Sequence, residues 1–182
     1  MALQPPNRSF KSDPRLHTHP LVAQSVRARN LFSLIIIMLT TKQKGIVSEY
    51  SAKLFFMSRG YTVCEPIGDN NRYDFLVEIK NNTFLRFQCK TANFNRTVDC
   101  INFPCASMRH NETKGNYKAK YTKDEIDYFI IPTENQVYIV PVEECAMECN
   151  LHLVPAKNGQ KSNVKMAEDY EGEKMLERIL SL

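Results

Sequence analysis

The run from Arg72 to Lys90, Arg-Tyr-Asp-Phe-Leu-Val-Glu-Ile-Lys-Asn-Asn-Thr-Phe-Leu-Arg-Phe-Gln-Cys-Lys, alternates apolar and polar residues on both sides of an Asn-Asn pair. Successive side chains of a β-strand point to opposite faces. Phe75, Val77 and Ile79 therefore fall on one side of a first strand, and Leu85, Phe87 and Cys89 on one side of a second. Burying both triplets against one core sends Asp74, Leu76 and Glu78 to the other side, with Arg86, Gln88 and Lys90. Residues that face each other across such a hairpin must have numbers adding to an even value, which brings Asp74 opposite Gln88 or Lys90. A plain two-residue turn at Asn81-Asn82 pairs residue 80 with 83 and throws Asp74 onto the wrong face. The pattern demands a loop of three or five residues, or a β-bulge.

Upstream, Val47, Tyr50, Leu54 and Met57 recur at steps of three and four, which predicts a helix from about Lys42 to Ser58, capped by Thr40 or Thr41. Gly45, Glu49, Ala52 and Phe56 share a neighbouring face, where small residues let a carboxylate come close to a sheet. Gly60 suits the left-handed residue that ends the helix. Strands are expected at 61–65 and 101–106, and a second hairpin from 128–131 and 137–140, bounded by Pro132 and Pro141. Residues 166–181 read as a final helix, with Met166, Tyr170, Met175 and Ile179 turned to the core or to a subunit interface.

An Asp at the head of one strand and Gln-x-Lys at the end of the next, here Tyr73-Asp74 and Gln88-Cys89-Lys90, resembles the PD-(D/E)XK nuclease superfamily. The resemblance continues along the chain in Thr41-Lys42-Gln43-Lys44-Gly45, Glu49, Arg59-Gly60-Tyr61, Gly68-Asp69-Asn70, Arg72-Tyr73-Asp74, Lys90-Thr91-Ala92, Glu125-Ile126-Asp127 and Val140-Pro141-Val142-Glu143. Over about residues 38–145 this series is similar to the PD-(D/E)XK endonucleases encoded in group I introns. It implies an α/β fold with a restriction-endonuclease-like core, a mixed β-sheet flanked by helices. It also implies a site-specific double-strand DNA endonuclease of the homing type.

Phosphodiester hydrolysis needs charge neutralised in the transition state and hydroxide generated near neutral pH, and a divalent ion supplies both. Hard oxygen ligands suit Mg²⁺, with Mn²⁺ as a substitute. Asp74 is the first expected ligand and Glu49 the second, and the resemblance adds the backbone carbonyl of Cys89. Lys90 would orient or deprotonate the attacking water, or stabilise the anionic oxygen. Gln88 departs from the superfamily's Asp or Glu: its amide oxygen can ligate the metal or hold a metal-bound water but brings no charge. Cutting two strands implies a homo-oligomer, a dimer or a tetramer. The competing functions are a structure-selective nuclease such as a Holliday junction resolvase, and a DNA-binding module of the same fold without metal chemistry.

The net charge of +4 invites a nucleic-acid reading that its distribution does not support. Residues 1–37 hold five basic residues and one acid, and the remaining chain has 19 of each. DNA affinity must then come from local clustering. Such a cluster lies in 108–123, with Arg109, Asn111, Lys114, Lys118 and Lys120 beside Tyr117 and Tyr121, in a stretch with little hydrophobic period. It reads either as a DNA-binding loop or as a solvated surface loop. The six cysteines, with no secretory signal and Cys89 inside a strand, fit reduced thiols in a cytoplasmic protein. Cys100, Cys105, Cys145 and Cys149 are loosely compatible with zinc, but buried thiols are preferred.

Residues 1–37 differ from the rest, with Pro5, Pro6, Pro14 and Pro20 in a polar stretch before the apolar run at 34–39. That run is too short for a membrane span, which needs about 20 residues. Val-Ala-Gln-Ser-Val-Arg-Ala, at 22–28, back-translates to a sequence that looks like the D-arm region of a transfer RNA gene. On that reading residues 1–37 are a disordered or spurious upstream extension, residues 38–182 form a single nuclease domain, and the target is an intronless tRNA gene.

Overall fold

Thr40 opens the fold with a capping box: its hydroxyl accepts from the Gln43 amide at 3.3 Å, while its own N–H donates to the Gln43 side chain at 2.9 Å. Two of the otherwise orphaned donors at a helix start are thereby satisfied. Helix α1 (Thr41–Met57) follows, and Gly60 at φ +83° turns the chain into strand β1 (Thr62–Cys64). The computed structural model describes residues 38–181 apart from Asp69, Asn81, Arg96, Val98, Lys114 and 156–163. The reading of residues 1–37 lies outside the described residues. The chain divides into two units, Met1–Leu39 and Thr40–Leu182, and every element from α1 onward belongs to the second.

The central hairpin pairs β2 (Phe75–Lys80) with β3 (Thr83–Cys89). Its turn pairs Lys80 with Thr83, but a bulge between Glu78 and Lys80 shifts the register, so that Phe75 faces Phe87 and Val77 faces Leu85. The even sum required by the two apolar triplets is restored by the bulge, one of the devices expected. Asn82 takes φ +62° in the turn, a conformation asparagine tolerates better than most residues.

The main sheet runs β1-β2-β3-β8-β9, with β8 (Tyr128–Pro132) parallel to β3 and antiparallel to β9 (Val137–Pro141). A second sheet runs β11-β10-β5-β4, formed by β4 (Asn93–Asn95), β5 (Cys100–Pro104), β10 (Glu148–His152) and β11 (Lys165–Met166). A two-stranded ribbon joins β6 (Ala106–Asn111) to β7 (Gly115–Lys120), and helix α2 (Gly172–Leu180) packs on β9. This mixed α/β arrangement is the expected fold class. No helix among the described residues is long and apolar enough to cross a membrane.

Helix α1 packs on β1, β3 and β8 through Phe56, fully buried, whose ring lies 4.8 Å from Phe87, 6.1 Å from Phe75 and 6.2 Å from Tyr61. The helix is rotated from the orientation its periodicity predicts. Tyr50, Leu54 and Met57 are 66%, 63% and 59% exposed, and the inward face is the one holding Glu49, Ala52 and Phe56. The reason is that α1 carries apolar residues on both faces, and the tandem Phe55-Phe56 beside Ala52 offers the larger payload for burial.

Two further expectations change. The stretch 108–123 is mostly ribbon: β6 and β7 pair from Ala106 with Lys120 to Asn111 with Gly115. Its solvated, weakly apolar sequence carries no alternating strand signature. The final helix over 166–181 is replaced by β11, a 3₁₀ turn (Ala167–Tyr170) and the shorter α2. A side chain at Gly172 would come within 2.7 Å of the Phe55 ring, so the helix begins where a glycine permits contact. Tyr170, Met175 and Ile179 are buried as expected. All six cysteines are free thiols, and among the described residues no group of three His, Cys, Asp or Glu is placed to hold a metal ion.

Gly45 is not a close-approach residue, since a Cβ there meets nothing within 4 Å and its φ is not left-handed. Gly45→Ala is expected to raise unfolding free energy by about 0.5–1 kcal/mol. The check is a shift of the urea midpoint at constant m-value.

Candidate active site

The bulged register places Asp74 one step beyond the Phe75–Phe87 pair, where its N–H donates to the Phe87 carbonyl at 2.8 Å. Its carboxylate bridges the strands: Oδ2 accepts from the Cys89 amide at 2.7 Å and from Gln88 Nε2 at 2.6 Å. Gln88 is buried, and the same Nε2 donates to the Cys89 carbonyl at 3.3 Å. As placed, Gln88 therefore turns its NH₂ toward Asp74 and the Cys89 carbonyl. Lys90 continues β3 and is fixed by its N–H to the Ile130 carbonyl at 3.0 Å, so the parallel β3–β8 pairing carries the lysine.

Glu49 reaches the same place from α1, and a Ser48–Thr91 hydroxyl contact of 3.2 Å ties that helix to the end of β3. Glu49 and Asp74 line a cleft of about 280 Å³ with Lys53, Glu65, Pro66, Gly68, Asn71 and Tyr73. The structure thus brings together Asp74, Gln88, Cys89 and Glu49, with the Lys90 charge acting on both carboxylates.

Lys53 was not singled out from the sequence. It lies one turn after Glu49, is 7% exposed, and reaches Glu65 at 2.9 Å. Its signal was positional: residue 53 borders Ala52 and Phe56 on the inward face, where a lysine is rarely buried without a partner.

Burial raises the Glu49 carboxyl above its ordinary value, and the neighbouring Asp74 charge adds to the shift, against Lys53 and Lys90. Burial likewise raises Asp74, outweighing the Cys89 amide, Lys90, the Gln88 side chain and Lys53. Two carboxylates pushed toward neutrality in one cleft are the electrostatic mark of a site made for a cation. The donor set fits a hard divalent ion: carboxylate oxygens from Asp74 and Glu49, with the Cys89 carbonyl beside them. Among the described residues Glu65 also lines the cleft but is paired with Lys53, and Gln88 is neutral.

The ribbon residues separate into two groups. Register puts Ser107, Arg109, Tyr117 and Ala119 on one face and Met108, His110, Asn116, Lys118 and Lys120 on the other. On the first face Arg109 forms an ion pair with Glu125, which also holds Arg72 at 3.1 Å. On the second, Lys118 and Lys120 are exposed. Asn111 closes β6, its side-chain oxygen accepting from the Thr113 amide at 2.9 Å, and Lys114 lies outside the described residues.

A carboxyl whose folded-state value is raised stabilises the fold below its ordinary titration range and loses that contribution as pH rises through the raised value. Asp74→Asn removes the ionisation yet keeps one oxygen for the Cys89 and Gln88 donors. Without divalent ion the variant is expected to melt higher than the wild type at pH 7–8, the gap narrowing as pH falls through the raised value and closed below about 4. Thermal unfolding across that range checks it; a variant less stable at pH 8 would contradict the electrostatic account.

A family model described as PD-(D/E)XK endonuclease matches residues 39–173. Among solved structures, the chain is similar to the bacterial homing endonuclease I-Ssp6803I, with a TM-score of 0.63 and 19% identity, over 79% of this chain and 95% of that one. No curated protein gives a significant match. At that identity the structural likeness speaks for the fold, whereas the family match covers most of the chain, from the α1 cap to the start of α2. The protein belongs to the PD-(D/E)XK endonuclease family.

Proposed function

We propose that this protein is a Mg²⁺-dependent, site-specific double-strand DNA endonuclease of the homing type, with Mn²⁺ as a substitute, acting as a homo-oligomer. The observation that carries the reading is the Asp74–Glu49 pair, two carboxylates raised by burial in one cleft between lysines, on the hairpin where the family motif lies. Nucleases of this family typically use divalent metals.

When bound, the ion neutralises the scissile phosphate and lowers the pKa of water. Asp74 and Glu49 would hold it, with the Cys89 carbonyl. Gln88 fixes the Asp74 rotamer through Oδ2, and neither of the two bonds on that carboxylate falls on Oδ1. Lys90 orients the attacking water or stabilises the anionic oxygen, from a strand end that backbone hydrogen bonding fixes. Lys53 pairs with Glu65 at the cleft wall and offsets the negative charge of the cleft.

Double-strand DNA is the substrate, and exposed Lys118 and Lys120 are its phosphate contacts. Arg109, paired with Glu125, supports the ribbon instead of reading bases. The similarity to a homing endonuclease supports the homing assignment, and the tRNA-like string at 22–28 supports an intronless tRNA gene as the target. Two strands need two sites, which supports the oligomer.

Cleavage of a plasmid carrying an intronless tRNA gene is expected with Mg²⁺ and absent with chelator, also from a protein starting at Met38. Asp74→Ala should abolish cutting while DNA is still bound, and Lys90→Ala should slow it by about 10²–10⁴-fold. Full turnover in either would remove that residue from the mechanism. Replacing Lys118 and Lys120 together by alanine should weaken binding to all sequences and shallow the log–log salt dependence by about 0.9 per lost phosphate contact. An unchanged slope in salt titrations would assign both lysines to solvent.

A further inference from the structure

Lysine has a long flexible stem, and holding its ammonium at one point means overcoming the rotamer entropy of that stem. At Lys90 the restraint comes from Tyr121. The hydroxyl lies 3.3 Å from Lys90 Nζ, and the ammonium sits 4.9 Å from the ring centroid, within cation–π range. Tyr121 is itself immobilised: 4% exposed, edge-on to Phe129 at 5.4 Å, with its N–H bonded to the Cys105 carbonyl at 3.1 Å.

A second cation presses on the same ring. The Arg72 guanidinium lies 3.8 Å from the Tyr121 centroid and is held by Glu125 at 3.1 Å, by the Ser107 hydroxyl, and by the Ala119 and Lys120 carbonyls at 3.4 and 3.5 Å. Glu125 also accepts from the Thr122 amide at 3.1 Å and pairs with Arg109 of β6. An unbroken series of contacts, Arg109–Glu125–Arg72–Tyr121–Lys90, thus runs from the ribbon to the strand-end lysine.

We propose that Tyr121 is a positioning residue for Lys90, with Arg72 fixing its ring, so that the β6–β7 ribbon and the cleft are held in one geometry. The inference rests on the nuclease reading for its catalytic consequence, but not for the positioning itself. Tyr121 does not touch substrate. Its hydroxyl fixes where the ammonium stands, and misplacement by about 1 Å is enough to cost up to 10²-fold in rate.

Tyr121→Phe keeps the stacked ring and removes only the hydroxyl. Its single-turnover cleavage rate is expected to fall about 10- to 100-fold, with DNA Kd within about twofold of wild type and Mg²⁺ saturation unchanged. Arg72→Met should slow cleavage comparably, and the double variant no more than the worse single one, since both act through one ring. The Lys90 side-chain NMR signal, assigned as the one lost in Lys90→Met, should shift in Tyr121→Phe without DNA or metal. If wild-type protein cleaves, an unmoved Lys90 signal, a rate within twofold of wild type, or a loss appearing wholly in Kd overturns the proposal and leaves the nuclease reading standing. If the wild type does not cleave, that reading fails, and the Lys90 signal alone decides: a shift upholds the positioning contact and no shift overturns it.

Discussion

Everything at the candidate site depends on one hairpin register, which one residue of slippage would destroy. The turn pairs residue 80 with residue 83, a register that would send Asp74 into the Phe75–Phe87 layer. The bulge between Glu78 and Lys80 removes that offset. Side chains in a strand have a period of two, so a single extra residue exchanges the two faces of everything beyond it. Beyond the bulge, the Asp74 carboxylate meets the Cys89 amide and Gln88, and the core triplets meet Phe56 of α1. Core packing and site geometry are therefore one constraint: the register that buries Phe75 and Phe87 is the register that sets Asp74 opposite Gln88.

The cleft shows the cost of this placement. Asp74 is partly buried with two donors on one oxygen, yet burial still outweighs them, and Glu49 stands close enough for the Asp74 charge to oppose its ionisation. A fold selected for stability alone would not set two carboxylates together in a half-buried site. The lysines soften the conflict without removing it: Lys53 is engaged by Glu65, and Lys90 acts by field across the site. Local destabilisation of this kind is the usual relation between function and stability at functional sites.

The sequence made the hairpin legible because strand alternation is strict and because its two halves carry incompatible parities, which forces a bulge or an odd loop. The helix start was legible as Thr40 or Thr41 for a similarly local reason. The rotation of α1 was not, since Val47, Tyr50, Leu54 and Met57 keep helical spacing as well as the true inward face does, and only the partner surface selects between them. Asp74, Gln88 and Lys90 could be grouped from strand alternation, and Glu49 and the Cys89 carbonyl joined them through the resemblance to the nuclease family. Lys53 could not, because a lysine is read as solvated until the helix orientation is known. The ribbon is not legible for a related reason: its strands are held by Arg72 and Glu125 from elsewhere in the chain, a long-range contact that leaves no periodic trace.

That long-range contact also changes the meaning of the local charge. The stretch 108–123 appears in the sequence as a row of equivalent cations, but its arginine and its lysines belong to different faces. Arg109 is engaged by Glu125 within the protein, a carboxylate it shares with Arg72, and removing it would leave that carboxylate with one cation in place of two. Lys118 and Lys120 remain in solvent on the opposite face. Lysine is a compact point charge without arginine's planar fork, suited to phosphates more than to the edges of bases. A chain that is formally neutral outside residues 1–37 thus concentrates usable positive charge by assigning its bidentate group inward and its flexible ones outward. The same division ties the inward face, through Glu125, Arg72 and Tyr121, to the strand end that carries Lys90.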